Sequence, residues 1–411
     1  MRIAVASSGL GHVARGIETW ARDTAEALAE QGIDVTLFAG APLANVECGT
    51  RNAERDERNA KPPDVVVLPS LRRDDARARR LAGRTPGFAW RWQLKSGYGW
   101  EQISFWFRLW PRLRRGRFDI LHVQDPMLAY WCRKFRRAGL VRTREILAHG
   151  TEESIGFLRP FDYVQHLAPW HLENAEGGVR SGGRQLWTAI PNFVDTDVFT
   201  PTGPDLRREL EIAKGAFVVG TVAAVKRHHK RIDYLIREFA AFAGAHRERD
   251  PRLVIAGART DETDALASLA DEVAPGRITI LCDLNREKMP ALYRTLDVFV
   301  LASLFEMMPI AVLEALASSR PVLAHRHPVL QWMIGEDRGD SCAGGMTIDM
   351  SAPANLACGL AAIVPDWIRS RGAAARRQAE GTFSKRTVVR EYIRYYERIC
   401  GTSLSGASPA A

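Results

Sequence analysis

Apolar positions alternate between two textures along the chain. Runs such as RIAVAS, IDVTLFAG, DVVVLP, FDILHVQ, EILAHG and DYVQHLA are short, almost continuously apolar and bounded by turn formers or charges, which reads as buried strands. Between the first two lies SGLGHVARG, a glycine-bearing turn, and then ETWARDTAEALAEQG. In that segment Trp20, Ala21, Ala25 and Leu28 share one helical face and Gly32 is a stop signal. Strand, turn, helix, strand is a βαβ unit, and a series of them predicts a parallel sheet.

The texture changes at Ile190–Pro201, where IPNFVDTDVFTP is turn-rich. A second series follows, with strand candidates FVVGTVAAV, RLVIAG, ITILC, DVFVLA and PVLAH separated by amphipathic helices. We therefore expect an α/β protein with two parallel-sheet domains, a boundary near 195–204 and a frayed tail over 404–411. Two such halves imply a cleft, with ligands beyond the carboxyl ends of the strands.

Composition narrows the picture. The 411 residues are 46% hydrophobic and 26% charged, as expected of a globular chain of two or three domains. The six cysteines are scattered without a C-x-x-C pair and read as structural thiols of a reducing compartment. Met1-Arg2 leads straight into a strand, which predicts no signal peptide, and no apolar run reaches the roughly 18–20 residues of a membrane span. The expected location is the cytoplasm.

The net charge of +9 is uneven. Residues 72–117 hold thirteen Lys/Arg against three Asp/Glu, or +10, which leaves −1 for the remainder. Five of the eleven tryptophans (90, 92, 100, 106, 110) fall there too. Such a segment fits peripheral contact with the anionic inner face of a membrane, or else a helix with a solvated basic face and buried tryptophans. No nucleic-acid reading module is present.

Candidate chemistry concentrates in SLFEMMPIAVLEALASSRPVLAH. Pro309 suits a first helical position, so Glu306 lies in the loop at a helix mouth and Glu314 inside the helix that Ile310 begins. Eight residues of helix rise about 12 Å, roughly a sugar, a diphosphate and part of a ribose. Free N–H groups at the mouth suit the diphosphate, and carboxylates suit sugar and ribose hydroxyls. First-turn acids are common for helix stability alone. Glu314, however, interrupts an otherwise apolar helix, and a buried carboxylate needs partners.

The E-x7-E spacing followed by ALASSRPV resembles the donor-site motif of retaining GT-B glycosyltransferases of glycosyltransferase family 4. IPNFVDTDVFTP, LYRTLDVFVLASLFE, FDILHVQD and AHGTE are similar to further stretches of that family. The resemblance implies a GT-B fold, two Rossmann-like parallel-sheet domains facing each other across a cleft. The acceptor-side domain would span 1–195 and the donor domain 205–378, with a C-terminal helix over 379–403 packing back across the cleft.

It further implies retaining transfer from a nucleoside-diphosphate sugar, UDP- or GDP-linked, to a glycan, lipid-linked or small-molecule hydroxyl. That sugar nucleotide would be a co-substrate; no cofactor and no metal are implied. His149, Glu306 and Lys230 fall on the family's catalytic positions. Gly16, Arg15, Lys226, Arg227, Lys230, Met308, Pro309, Ile310, Glu306 and Glu314 fall at donor-binding ones. Two departures matter. Met308-Pro309 stands where the family has Phe-Gly, which removes one N–H near the sugar. Ala224 or Val225 stands where it has an arginine, so Lys226 or Arg227 takes over the diphosphate contact.

Three other readings compete. Gly9-x-Gly11-x-x-Ala14 meets a relaxed dinucleotide fingerprint, but Phe38-Ala39-Gly40 offers no acid for a ribose at the end of the second strand. The missing arginine fits a nucleotide-sugar-binding accessory protein without transferase activity. The 72–117 segment fits a membrane or polyanion adaptor. Asp195-Thr196-Asp197 spells a metal motif of a different fold, yet lies in the linker and reads as turn chemistry. The two-glutamate reading makes a direct prediction. Glu314→Ala weakens sugar-nucleotide binding by at least about tenfold in calorimetry while the protein stays folded, and unchanged affinity counts against the assignment.

Overall fold

A computed structural model describes residues 1–13, 16–43, 62–176, 186–339 and 342–401. The chain divides into two compact units, Met1–Ile190 with Val389–Ala411, and Pro191–Val388. The boundary falls ahead of the 195–204 stretch marked by its turn-rich texture.

The first unit contains β1 (Arg2–Ser7), α1 (Gly16–Glu30), β2 (Asp34–Ala39), β3 (Asp64–Val67), α2 (Ala76–Arg84), α3 (Gly97–Gly116) and β4 (Ile120–Val123). These are followed by α4 (Pro126–Arg137), β5 (Arg144–His149), α5 (Ile155–Leu158), β6 (Tyr163–His166), α6 (Pro169–Glu176) and β7 (Leu186–Ala189). Its seven strands form a parallel sheet in the order β3-β2-β1-β4-β5-β6-β7, with Ile3 paired to Val35 on one side and Ile120 on the other.

The second unit contains β8 (Val218–Val222), α7 (Ile232–Ala245), β9 (Arg252–Gly257), α8 (Thr263–Val273), β10 (Ile278–Cys282), α9 (Met289–Thr295) and β11 (Val298–Leu301). Then come α10 (Ile310–Ala317), β12 (Val322–His325), α11 (Pro328–Ile334), β13 (Gly345–Ile348), α12 (Asn355–Ala361), α13 (Pro365–Gln378) and α14 (Lys385–Cys400). Its sheet runs β10-β9-β8-β11-β12-β13, again all parallel. The predicted strands are all present. The two that the apolar pattern missed, β7 (LWTA) and β13 (GMTI), are edge strands, each interrupted by a threonine.

Each sheet is buried between helices. In the first unit, α3 inserts Phe105, Trp106, Leu109 and Leu113 into a core shared with Leu121, Val123 and Leu147. Trp106 is fully buried and meets Phe135 edge-on at 5.2 Å. Trp110 packs on the same ring at 5.5 Å. Helical geometry thus divides α3, with Trp106 and Trp110 inward and Arg108, Arg112, Arg114 and Arg115 outward beside Phe107, which is 59% exposed. In the second unit Val219, Ile255, Val298, Val300 and Leu323 from the sheet pack against Ile236, Phe239 and Phe242 of α7.

The chain enters and leaves the second unit side by side. Val194 N donates to Phe383 O and Lys385 N to Val194 O, both at 2.9 Å, making a parallel bridge between Val194 and Ser384. Asp195 accepts from Asp197 N at 3.0 Å, Val198 N at 3.3 Å and Lys385 Nζ at 2.9 Å, so its carboxylate builds the turn and ties down α14.

From Val389 onward α14 belongs to the first unit, and its tyrosines hold it there. Tyr395 donates to Leu186 O at 2.6 Å. Tyr396 OH lies 2.6 Å from His122 Nδ1, and Gln165 Oε1 lies 2.7 Å from His122 Nε2. The amide nitrogen of Gln165 donates to Ile190 O and Tyr392 OH, which orients its oxygen toward His122. His122 therefore carries its proton on Nε2 and accepts from Tyr396 on Nδ1.

Complete burial pushes the His122 pKa down to about 3. It is enclosed by Trp20, Tyr392, Tyr396 and Gln165, none of them charged. An unfolded histidine titrates near 6.5, so the unfolded state takes up a proton that the native state refuses. Stability is complete above about pH 6.5 and is lost as pH falls toward 3. In urea titrations between pH 4 and 6, His122→Phe is expected to flatten the pH dependence of stability by about 1.4 kcal/mol per pH unit. An unaltered slope overturns this assignment of the proton.

Candidate functional site

In an open parallel sheet, the crevice opens where the winding direction reverses. In the second unit this is the gap between β8 and β11, and the two loops that leave those strands, Ala223–Arg231 and Ala302–Pro309, carry most of the predicted site residues. Gly257 makes the first loop's path available: a Cβ there would stand 1.9 Å from Ala223 O.

These loops are pinned together. Lys230 Nζ forms an ion pair with Glu306 Oε1. His229 Nε2 lies 3.0 Å from Phe305 O and 3.7 Å from the same Glu306 oxygen. Arg231 donates to Met350 O at 2.6 Å and Ala302 O at 3.3 Å and lies 4.0 Å over the Tyr234 ring. His229 and Arg231 adopt left-handed backbone conformations, with φ of 68° and 50°. Such conformations cost free energy in non-glycine residues and persist only where surroundings enforce them. Glu306 is 8% exposed, so its charge is stabilised by Lys230 rather than by bulk water.

The other predicted residues divide. Arg227 is exposed and engaged with Glu262 at 3.3 Å. Lys226 is half-buried, and its ammonium has no ion-pair partner among the described residues. Pro309 is the N-cap of α10, one residue ahead of the expected first helical position, and the helix begins at Ile310. Val312 N turns back to Pro309 O at 3.1 Å, and the first-turn N–H groups lie at the loop end of α10. Arg376 closes the opposite end, donating to Ala317 O at 2.6 Å.

Met308 is buried, with its sulfur 3.2 Å from Asn192 N and its carbonyl accepting from Asn192 Nδ2 at 3.1 Å. It is a packing element behind the loop as well as part of it. Glu314 is half-buried and accepts from Tyr293 OH at 2.7 Å. Tyr293, wholly buried, is therefore the partner that an acid in an apolar helix requires, and burial together with Glu314 raises its pKa well above the usual value.

In the first unit, His149 ends β5 and is 7% exposed. Burial holds its pKa down at about 4, with His171 adding to the effect. Gly16 opens α1 at the surface, where a Cβ would meet nothing within 4 Å. Arg15 and Ala14 lie outside the described residues. Gly11, at φ 97°, is fixed by packing, since its Cβ would fall 2.3 Å from Ala41 O.

A polar network at the carboxyl ends of β1 and β4 was missed. Arg73 binds Glu101 at 2.6 Å and Glu18 at 3.4 Å and stacks 4.4 Å over Tyr98. Tyr98 donates to Asp125 at 2.8 Å, and Ser8 Oγ sits 2.9 Å from Asp125 and 3.0 Å from Glu101. His12 Nε2 lies 3.0 Å from Glu101. Burial opposes ionisation of Glu101, but the Arg73 guanidinium holds its pKa below the usual range, whereas burial wins at Asp125 and raises it. One hydroxyl proton on Ser8 cannot serve both acids, so Ser8 donates to one of them at a time. Glu101-Gln102 inside the aromatic WEQISFW was the available signal.

This geometry can be set beside known proteins. Residues 15–176 match a profile described as a glycosyl transferase 4-like domain, and residues 216–366 match one described as glycosyl transferases group 1. A D-inositol 3-phosphate glycosyltransferase of Corynebacterium jeikeium is 32% identical over 187 residues, 43% of each chain. Its counterpart in Mycolicibacterium smegmatis is 31% identical over 137 residues, 32% of this chain and 30% of that one. The chain thus matches less than half the length of these curated relatives.

Among solved structures, sucrose-phosphate synthase of Thermosynechococcus elongatus superposes with a TM-score of 0.73 at 18% identity, covering 98% of this chain and 100% of the other. HepE of Anabaena, in complex with UDP and glucose, gives 0.70 at 14% identity over 97% and 100%. Two matched profiles, one in each unit, and the shared two-sheet architecture place the chain in glycosyltransferase family 4, with the GT-B fold.

Proposed function

We propose that the chain is a retaining glycosyltransferase that moves a sugar from a nucleoside diphosphate to an acceptor hydroxyl. The observation that carries this reading is the Lys230–Glu306 pair at the β8/β11 switch point, beside the opening of α10. The cation rests on the carboxylate. A sugar diphosphate satisfies both: its hydroxyls donate to Glu306, and its phosphates take the ammonium and the first-turn amides of α10.

Lys226 is the second cation in this reading, since Arg227 is held by Glu262. Glu314, oriented by Tyr293, receives the ribose. As the bond from the sugar's anomeric carbon to the diphosphate oxygen breaks, charge grows on that oxygen, and these donors stabilise it in place of a metal ion. The acceptor oxygen bonds to the same face, and its proton passes to the leaving diphosphate. His149 lies on the acceptor side as a neutral hydrogen-bonding group.

HepE's complex with UDP and glucose favours a UDP-linked donor. The relatives named for D-inositol 3-phosphate favour a polyhydroxylated small molecule, with lipid-linked and glycan acceptors as the other classes to assay.

The experiment is release of UDP or GDP from a panel of sugar nucleotides and acceptors, with the product's anomeric configuration read by NMR. Lys230→Ala and Glu306→Gln are each expected to lower turnover at least about 100-fold, Glu306→Gln with little change in melting temperature and Lys230→Ala with a lowered one, because it strands the Glu306 charge. Because Glu314→Ala also strands the buried Tyr293 hydroxyl, Glu314→Gln is the variant that isolates donor affinity. Donor binding without turnover on any acceptor overturns the transferase reading in favour of a binding protein.

A membrane contact is the second part of the proposal. No helix among the described residues is long and apolar enough to cross a membrane. The outward face of α3 instead sets Phe107 among Arg108, Arg114 and Arg115, none of which forms an ion pair among the described residues. An anionic lipid surface complements this face, with about 1 kcal/mol per arginine and a shallow apolar anchor. In flotation assays the protein is expected to bind phosphatidylglycerol vesicles but not phosphatidylcholine ones, and Phe107→Ser with Arg108→Glu abolishes the difference. Undiminished binding of the variant to phosphatidylglycerol vesicles overturns the assignment.

A further inference from the structure

His149 has a neighbour that the sequence did not single out. The carboxyl-terminal residues of β5 and β6, His149 and His166, are register partners in the sheet. Their rings meet edge-on, 5.2 Å between centroids and 85° apart, with the two Nδ1 atoms at 3.2 Å. That distance is a hydrogen bond, and two neutral imidazoles can share it only if one carries its proton on Nδ1 and the other on Nε2. The pair therefore has two arrangements, and the surroundings choose between them.

On the far side of His149, Nε2 lies 3.8 Å from Glu153 Oε2. Thr151 Oγ1 stands 2.7 Å from both oxygens of that carboxyl and donates to it, as suits an acceptor. A lone pair on His149 Nε2 would face like charge; an N–H there faces a favourable one. His171 closes the third side, 6.1 Å from the His149 ring, and Trp187 fixes the His166 ring from 5.4 Å. The Nε2 atoms of both His149 and His166 are buried and lack a hydrogen-bond partner among the described residues. Backbone carbonyls of Glu153 and Thr151 also lie against the His149 ring and favour an N–H on it.

We infer that His166 is a positioning residue: its Nδ1–H donates to His149 Nδ1 and fixes His149 as the Nε2–H tautomer, so that His149 offers a donor, not a base, to the substrate. The substrate clause rests on the transferase reading above; the tautomer clause does not. No proton is transferred in this role, and the histidine works by orientation alone.

Long-range proton–nitrogen NMR of the full-length protein reads the tautomer directly, with His149→Gln and His166→Asn used to assign the signals. The expected result is Nε2–H for His149 in the native protein and in His166→Asn, whose side-chain amide can still donate to Nδ1. In His166→Leu the His149 signal is expected to shift toward a mixture of tautomers. Transfer is expected within about threefold of native for His166→Asn and at least about tenfold lower for His166→Leu, through kcat rather than donor KM. A native Nδ1–H tautomer at His149, or one unchanged in His166→Leu, overturns the inference. If instead the tautomer behaves as stated but His149→Ala transfers normally, it is the substrate-side role of His149 that fails.

Discussion

Parallel strand pairing is the constraint on which the rest depends. When every strand of a sheet points the same way, all strand-to-helix loops leave from one edge, and the return helices must cover both faces. The winding reverses between β1 and β4 in one unit and between β8 and β11 in the other, so the loops leaving these neighbouring strands turn to opposite sides. The Arg73 network stands at the first of these edges and the Lys230–Glu306 pair at the second.

The two edges treat charge differently. Around Arg73 the acids, hydroxyls and guanidinium satisfy one another, and the network clamps α1, α3 and the β4 exit into a rigid frame. Around Lys230 and Glu306 the balance is thinner, one cation against one nearly buried carboxylate with a histidine close by. A buried pair of that kind contributes little to stability, because the cost of removing both ions from water offsets their attraction. Its retention is easier to understand as a site held ready for a ligand bearing phosphates and hydroxyls. The strained backbone at His229 and Arg231 on the same loop agrees with that reading.

Much of the fold was legible because buried parallel strands are apolar runs that pattern alone reveals, whereas β7 and β13, each broken by a threonine, form no continuous run. The site was legible one residue at a time. Glu306 stood out at a helix mouth, and Glu314 as an acid in an apolar helix. Their partners were not visible. Lys230 and Glu306 are 76 positions apart, and nothing local marks Tyr293 as the donor to Glu314. His166 was hidden for the same reason, since its relation to His149 exists only through strand register. The tryptophans of 72–117 show the converse: composition grouped what helical periodicity separates, sending Trp106 inward and Phe107 outward.

The bridge between Val194 and Ser384 has a consequence for the gene as well as the molecule. Because the second unit begins and ends at neighbouring points of its own surface, it is topologically an insert, a continuous cassette spliced into a host domain that resumes with the tyrosines of α14. Such a cassette can be exchanged whole without rethreading the host, since its two ends already lie together. A different second unit can therefore enter by recombination at two nearby seams, with the host sheet left as it was.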